Sequence, residues 1–304
     1  MPLIVPGVIF GVFDGATDAL GTIVDGLSAG RLAALTVSAE MAALAADPNA
    51  RLLPVEDIVG RLTAALHDKT APLGLAIPPS TTVAAVLDCG PSWRFLLLGD
   101  TAIRVNGDEV LCHNKLIDAV STEARVRVIR LLHSRFGSGD DVEYATRRVI
   151  MLGLDTAISE KVLSAKTARD LIEEVTRSTG LKAHAAVVDR FLRGGIKTQF
   201  TFANGDGPLS FDTMNGTEVP LRDVIDQTRP KHEVASVEIV TDGYPAMPKE
   251  VSPDAWEEVF ARAEQEDYHK IEIHASVKGS TETEYFDDRT VLLLSDMVGQ
   301  VTRD

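Results

Sequence analysis

Cysteine is scarce in this chain of 304 residues, in which Cys89 and Cys112 are the only two. Two cysteines can form neither a disulfide framework nor a cysteine-rich zinc site, and such low usage fits a reducing compartment. Aromatic residues are also few, at 5%. Hydrophobic residues nevertheless make up 45% of the chain and charged residues 25%, the ordinary balance of a globular protein with a substantial core.

Positive charge is in deficit as well, since 30 Lys and Arg face 45 Asp and Glu, giving a net charge of −15. A surface this acidic repels phosphate backbones and anionic lipids, so neither a nucleic acid nor a membrane is expected as a partner. The chain also lacks a run of about twenty apolar residues that would cross a membrane. Residues 1–13 are apolar but have no basic leading segment, which predicts a buried strand and a cytoplasmic protein.

The order of secondary-structure signals indicates an α+β protein. Apolar runs bounded by turn residues predict strands at 8–13, 81–87, 93–98, 100–105, 109–112, 208–214, 234–241 and 290–294. Helical spacing of apolar residues predicts helices at 28–46, at 55–67, through most of 116–193, and at 253–264. Because strands and helices do not alternate regularly, we expect them in separate layers of one domain spanning 1–304. The helical region at about 116–193 would be an elaboration of that domain, with Arg125, Arg127 and Arg130 on a solvated helix face.

Three apolar strands each stop at an aspartate, namely Asp14, Asp242 and Asp287. A strand end fixes a side chain at the rim of a sheet, and carboxylates gathered there repel one another unless a cation lies between them. Hard oxygen ligands, without His or Cys at metal-ligand spacing, favour Mg²⁺ or Mn²⁺ over zinc. Gly15 follows the first aspartate and would let its backbone carbonyl approach an ion. The alternative is that Asp-Gly pairs simply make turns.

In their order and flanking residues, these segments resemble the metal-dependent protein phosphatases, also called type 2C phosphatases. Val-Phe-Asp-Gly at 12–15 looks like the family's first strand end. Ser-Thr-Thr at 80–82 and Leu-Leu-Gly-Asp-Thr-Ala at 97–102 look like its Gly-Ser-Thr strand and its Gly-Asp-Ser-Arg hairpin. Thr-Asp-Gly at 241–243 is similar to its Ser-Asp-Gly, and Asp-Asp-Arg-Thr-Val at 287–291 is similar to its closing Asp-Asn-x-Thr-Val.

The resemblance, which covers 8–294, implies a four-layer αββα sandwich with two central antiparallel sheets and two Mn²⁺ or Mg²⁺ ions at one end. It implies that Asp14 bridges the ions, that the Gly15 carbonyl binds the second, and that Asp242 and Asp287 complete the shell of the first. Asp100 would help to hold a weaker third ion. The implied reaction is hydrolysis of phosphoserine or phosphothreonine in a phosphorylated protein by a water that the ions share. No catalytic side chain beyond the metal ligands is implied.

The chain also departs from the family pattern. The family has an Arg-x-x-Asn-Glu-Asp-like stretch before the first strand, whereas only seven uncharged residues precede Val8 here. Ala16 stands where eukaryotic relatives have a histidine, and Ala246 stands where they have a further aspartate. These departures favour an alternative, a catalytically weak or inactive phosphatase-like module that binds or regulates. A third hypothesis, an N-terminal nucleophile hydrolase, needs a freed Thr, Ser or Cys, and no processing site for one is evident near Met1.

Overall fold

The computed structural model of the protein describes residues 1–137 and 139–297. Its strands are β1 Pro2–Val5, β2 Ile9–Val12, β3 Ile23–Val24, β4 Leu27–Ser28, β5 Val83–Asp88, β6 Ser92–Leu98, β7 Ala102–Val105, β8 Glu109–Leu111, β9 Ile225–Pro230, β10 Val237–Val240 and β11 Val291–Leu294. Its α-helices are α1 Ala29–Ala45, α2 Val55–Thr70, α3 Leu116–Phe136, α4 Asp140–Leu152, α5 Leu154–Ser159, α6 Ala165–Ser178, α7 Ala185–Gly194 and α8 Pro253–Glu266. Short 3₁₀ helices lie at Ala50–Leu52, Ala71–Leu73, Lys182–His184, Ile196–Phe202 and Lys231–Glu233.

The chain divides into two compact units. The first, here called the sheet unit, consists of Met1–Asn114, Asp212–Val259 and the segment from Arg289 onward. The second, the helical unit, consists of Lys115–Phe211 and Phe260–Asp288. A single domain over 1–304 with a helical elaboration stays a prediction. Among the described residues, no helix has both the length and the apolar character needed to cross a membrane.

The sheet unit contains two larger antiparallel sheets, which confirms the α+β class. The first sheet has the order β1-β2-β5-β6-β9, and the second has the order β11-β10-β7-β8. The sequence of β5 is apolar from Val83 to Leu87 rather than at alternate positions, and the packing of the strand explains why. Val83, Ala85 and Leu87 pack in one cluster with residues of α1 and α2, whereas Ala84 and Val86 pack in another with residues of the second sheet. Both faces of this strand are therefore buried.

The tight turn between β7 and β8 was predicted from Asn106-Gly107 and is confirmed. Asn106 has φ +55° and Gly107 has φ +77°, the positive values that a two-residue hairpin turn needs. The side chain of Asn106 fixes the turn further, because its amide donates to the Glu233 carbonyl at 2.8 Å and its oxygen accepts from the Ala235 amide at 2.7 Å.

The structure differs from the sequence analysis in three places. Residues 1–13 form a hairpin of β1 and β2 rather than one strand, because the chain turns at Gly7, which has φ +70°. Residues 208–214 form no strand, and only single bridges pair Met214 with Thr81 and Phe211 with Ala203. Pro208 has no amide hydrogen to donate to a ladder. Strand β9 was not predicted, because it is a polar edge strand without apolar alternation.

The helical unit has its own apolar core, formed mainly by α3 to α7. The prediction that Arg125 lies on a solvated face is wrong, because its side chain is fully buried. Its guanidinium forms a 2.5 Å ion pair with Glu143, which is equally buried. It also donates to the carbonyls of Lys270 at 2.9 Å and His269 at 2.7 Å. A buried charge persists where such partners replace its hydration.

A second buried ion pair lies on the second sheet of the sheet unit. Arg104 of β7 is opposite Glu238 of β10, and its guanidinium donates to both carboxylate oxygens, at 2.5 and 2.6 Å. Both side chains are almost completely buried. Trp256 of α8 covers the pair, donating from its indole nitrogen to Glu238 at 2.7 Å, while Arg104 lies over its ring. Inward-facing Ile103 and Ile239 alternate with this polar pair.

We expect Glu238→Ala to lower the free energy of unfolding by about 3–5 kcal/mol, because the substitution leaves a buried guanidinium without its carboxylate. The matched control is Glu109→Ala, which removes the half-exposed partner of Arg229 in the same unit. An exposed pair of this kind contributes at most about 1 kcal/mol. Urea unfolding followed by far-UV circular dichroism measures both. Equal losses in the two variants would contradict the structural role given to the buried pair.

Candidate functional site

Asp14 lies two residues beyond the end of β2, and both its backbone amide and its carbonyl are bonded to Thr81 or Thr82, just before β5. Its amide donates to the Thr82 hydroxyl at 3.0 Å. Its carbonyl accepts from the Thr82 amide at 2.8 Å and from the Thr81 hydroxyl at 2.7 Å. These bonds continue the antiparallel register of β2 and β5 beyond its last pair, Val12 with Ala84. The half-buried aspartate is therefore fixed at the end of the first sheet.

Gly15 lies where the chain passes close to the first turn of α1. A Cβ atom on Gly15 would lie 2.3 Å from the carbonyl oxygen of Gly30, and one on Gly30 would lie 2.3 Å from the oxygen of Ala16. Neither distance is possible between real atoms, so both positions require glycine at this spacing. The structure thus gives Gly15 a packing role that the sequence did not indicate.

Asp100 lies between two residues that contact Thr82. Gly99 has φ +99°, and a Cβ atom there would lie 2.8 Å from the Thr82 methyl group. The Thr101 hydroxyl is 2.6 Å from the Thr82 hydroxyl. One threonine side chain therefore contacts the residues on either side of Asp100 and also the backbone of Asp14. It links the end of β2 to the connection between β6 and β7.

Asp242 lies two residues beyond the last pair of β10 with β7, which joins Val240 to Ala102. Asp100 lies two residues beyond the same pair on the other strand. Thr241 extends the pairing of β10 with β11, since its amide donates to the Thr290 carbonyl and its hydroxyl accepts from the Thr290 amide, both at 3.0 Å. The structure therefore places Asp14, Asp100 and Asp242 at strand ends on one end of the sheet unit.

Asp287, the remaining predicted ligand, belongs to the helical unit. Burial raises the pKa of its carboxyl group, although the ammonium group of Lys278, 3.2 Å away, acts in the opposite direction. The assignment of Asp287 as a metal ligand stays a prediction.

A polar cluster that the sequence did not indicate lies at the end of β10 and β11. Arg289 is next to Thr290, and its guanidinium donates to Glu257 of α8 at 2.8 Å. The Tyr244 hydroxyl donates to the same carboxylate at 2.7 Å. Burial, together with this bond to Glu257, raises the pKa of Tyr244 to about 12. Arg289 occupies the variable position of the Asp-Asp-x-Thr-Val motif, which is why the motif alone gave no reason to select it.

The residues at this end of the sheet unit suit a hard cation by their chemistry. Asp14, Asp100 and Asp242 offer carboxylate oxygens and Gly15 a carbonyl oxygen, the donor types that Mg²⁺ and Mn²⁺ prefer. Within 1–137 and 139–297, however, no group of three or more His, Cys, Asp or Glu side chains is arranged to hold a metal ion. The donor types fit, but a complete ligand set is not preformed among these residues.

Comparison with known proteins gives matches among solved structures only. No protein-family model matches the chain, and no curated protein matches it. A crystal structure of a bacterial serine phosphatase covers 96% of this chain and 87% of its own, with 10% identity and a TM-score of 0.44. The serine/threonine phosphatase PstP/Ppp of Mycobacterium tuberculosis covers 95% and 88%, with 17% identity and a TM-score of 0.40. The catalytic domain of PstP in complex with 2 manganese ions covers 95% and 87%, with 15% identity and a TM-score of 0.41.

These values describe a distant likeness to bacterial serine and serine/threonine phosphatases.

Proposed function

We propose that the protein is a metal-dependent phosphatase that removes phosphate from phosphoserine or phosphothreonine in protein substrates. The observation that supports the proposal most directly is the contact set of Thr82, which ties the backbone of Asp14 to the residues around Asp100. The same threonine thereby contacts Asp14 after β2 and the residues around Asp100 in the connection between β6 and β7. Asp242 follows β10, the strand that pairs with β7.

In this proposal Asp14, the carbonyl of Gly15 and Asp242 hold Mn²⁺ or Mg²⁺, and Asp100 helps to hold a weaker third ion. The bound ions would supply Lewis-acid chemistry for transfer of a phosphoryl group to water. Most of the chain's net charge of −15 falls on the sheet unit, so cations there would also relieve repulsion between carboxylates. Because the backbone of Asp14 is already fixed, little conformational freedom remains to be lost when an ion binds.

The proposal includes the four-layer αββα sandwich. Helices α1 and α2 pack on one face of the first sheet, and the second sheet packs on its other face. On the outer face of the second sheet, Trp256 of α8 packs against Ala102 and Val240. The alternation of inward and outward residues along β7 and β10 supports a helical layer on that face.

An alternative function is a phosphatase-like module that binds or regulates without turnover. The presence of Ala16 favours it, because an alanine side chain cannot act as a general acid at that position. The two functions differ in whether metal-dependent turnover occurs.

We expect Mn²⁺ or Mg²⁺ to raise the melting temperature, because an ion that binds only the folded state stabilises it by about 2.7 kcal/mol at a hundred times its dissociation constant. Asp14→Asn should abolish most of this gain. Asp68→Asn, which changes an exposed carboxylate on α2, should retain it. Differential scanning fluorimetry with and without each ion measures the shift. An equal shift in wild type and Asp14→Asn would reject Asp14 as a ligand.

We also expect slow Mn²⁺-dependent hydrolysis of p-nitrophenyl phosphate, whose good leaving group needs no general acid. Phosphopeptides should react more slowly, because their alkoxide leaving group must be protonated. Asp242→Asn should abolish both activities, Asp68→Asn should leave both unchanged, and Ala16→His should accelerate the phosphopeptide reaction alone. Initial rates with and without Mn²⁺ measure these effects. Wild-type turnover no higher than that of Asp242→Asn would give preference to the binding module.

A further inference from the structure

Two helices of the helical unit, α3 and α6, line a groove with a volume of about 900 Å³. The segment from Ile271 to Ala275 lines it as well. All of the lining residues belong to the helical unit, and none of them is a predicted metal ligand.

Each helix contributes one continuous stripe to the groove. The residues from α3 are Glu123, Val126, Arg127, Arg130 and Leu131. Those from α6 are Thr167, Asp170, Leu171 and Glu174. Most neighbouring positions in each stripe are three or four residues apart, which is the spacing of one helix face. Each stripe covers about two turns, or roughly 12 Å of helix at 1.5 Å per residue. A groove between two such stripes has the form that receives a third helix in bundles and in helix–groove complexes.

The third wall of the groove is held in place before any partner binds. The carboxylate of Asp267 accepts hydrogen bonds from the amides of Ile271 and Glu272, both at 2.9 Å, and of His274 at 3.0 Å. Burial alone would raise the pKa of Asp267, but these backbone bonds prevail and lower it. Arg125, fully buried, donates to the Ser276 carbonyl at 3.3 Å. A wall fixed in this way loses little entropy on binding.

The groove combines an apolar floor with an acidic rim. Val126 and Leu171 are almost completely buried at its floor, whereas Leu131 is 44% exposed. The lining has four carboxylates, those of Glu123, Asp170, Glu174 and Glu272, but only two guanidinium groups, those of Arg127 and Arg130. Outside the lining, Lys166 pairs with Asp170 at 2.6 Å, which still leaves four carboxylates against three cations. Arg127 is shared, because it pairs with Glu123 and also lies 3.3 Å from Glu174. The lining is therefore net negative.

We propose that this groove binds an amphipathic helix of a partner protein, with an apolar stripe that covers Leu131 and Lys or Arg residues that face the acidic rim. The helical spacing of the lining residues favours a helix as the ligand, and the negative charge of the rim favours Lys or Arg on both sides of its apolar stripe. A second copy of this chain is a poorer occupant, because Asp and Glu outnumber Lys and Arg by 45 to 30 in it, whereas the rim calls for basic residues. The proposal does not depend on phosphatase activity.

The test uses a fluorescein-labelled peptide of about 15 residues built from Leu and Lys, with Leu on one helix face. A scrambled peptide of the same composition is the control for charge alone. Fluorescence anisotropy should show binding of the amphipathic peptide and at least about tenfold weaker binding of the scrambled one, a difference of 1.4 kcal/mol. Equal binding of the two peptides, or no binding of the amphipathic one, would overturn the proposal.

Variants locate the binding surface. Leu131→Glu should weaken binding at least about tenfold, because it replaces the exposed apolar contact of the groove with a charge. Phe136→Glu, which changes a side chain of the same helix that is 39% exposed and lies outside the groove, should leave binding unchanged. Asp170→Asn combined with Glu272→Gln should weaken binding and reduce its dependence on salt. Circular dichroism confirms that each variant is folded.

Two results would reject the partner helix. The first is unchanged peptide affinity in Leu131→Glu, which would place the peptide elsewhere. The second is a wild-type dimer in sedimentation that Leu131→Glu dissociates, which would make a second copy the occupant.

Discussion

The hydroxyl group of Thr82 is the point on which the candidate site depends. It accepts a hydrogen bond from the amide of Asp14 and lies 2.6 Å from the Thr101 hydroxyl, while the methyl group of the same side chain packs against Gly99. Leaving such a buried polar group unpaired costs about 1–3 kcal/mol, enough to select one arrangement of the strand ends over its neighbours. Through these contacts Asp14 is held by its backbone amide and carbonyl.

Much of the sheet unit was predictable because its interior strands are buried on both faces. The apolar runs of β5 and β6, the Asn106-Gly107 turn and helices α1 and α2 follow from local sequence, and the structure contains them close to the predicted bounds. The aspartates at strand ends were selected from the same apolar runs, because a run that stops at a charged residue marks the edge of a sheet. The functional assignment of those aspartates still rests on the motif resemblance and on the contacts of Thr82.

Other features depend on partners that are distant in sequence. Strand β9 is polar and has no pattern of its own, but β6 pairs with it along six residues. In the sequence Arg125 cannot be distinguished from Arg127 and Arg130. In the structure it is buried because Glu143 and the carbonyls of Lys270 and His269 surround its guanidinium group. Tertiary contacts therefore determine both the formation of strand β9 and the burial of Arg125. The groove between α3 and α6 likewise follows from the packing of two helices, although each stripe has helical periodicity in the sequence.

The two proposals assign different functions to the two units. The sheet unit carries most of the negative charge and the candidate metal ligands, whereas the helical unit is close to neutral and carries the groove. The most direct test of the central claim is anomalous diffraction at the manganese edge from crystals soaked in MnCl₂. The account predicts peaks within bonding distance of the carboxylates of Asp14 and Asp242. Manganese bound only elsewhere, or no peak at concentrations that saturate any thermal shift, would contradict it.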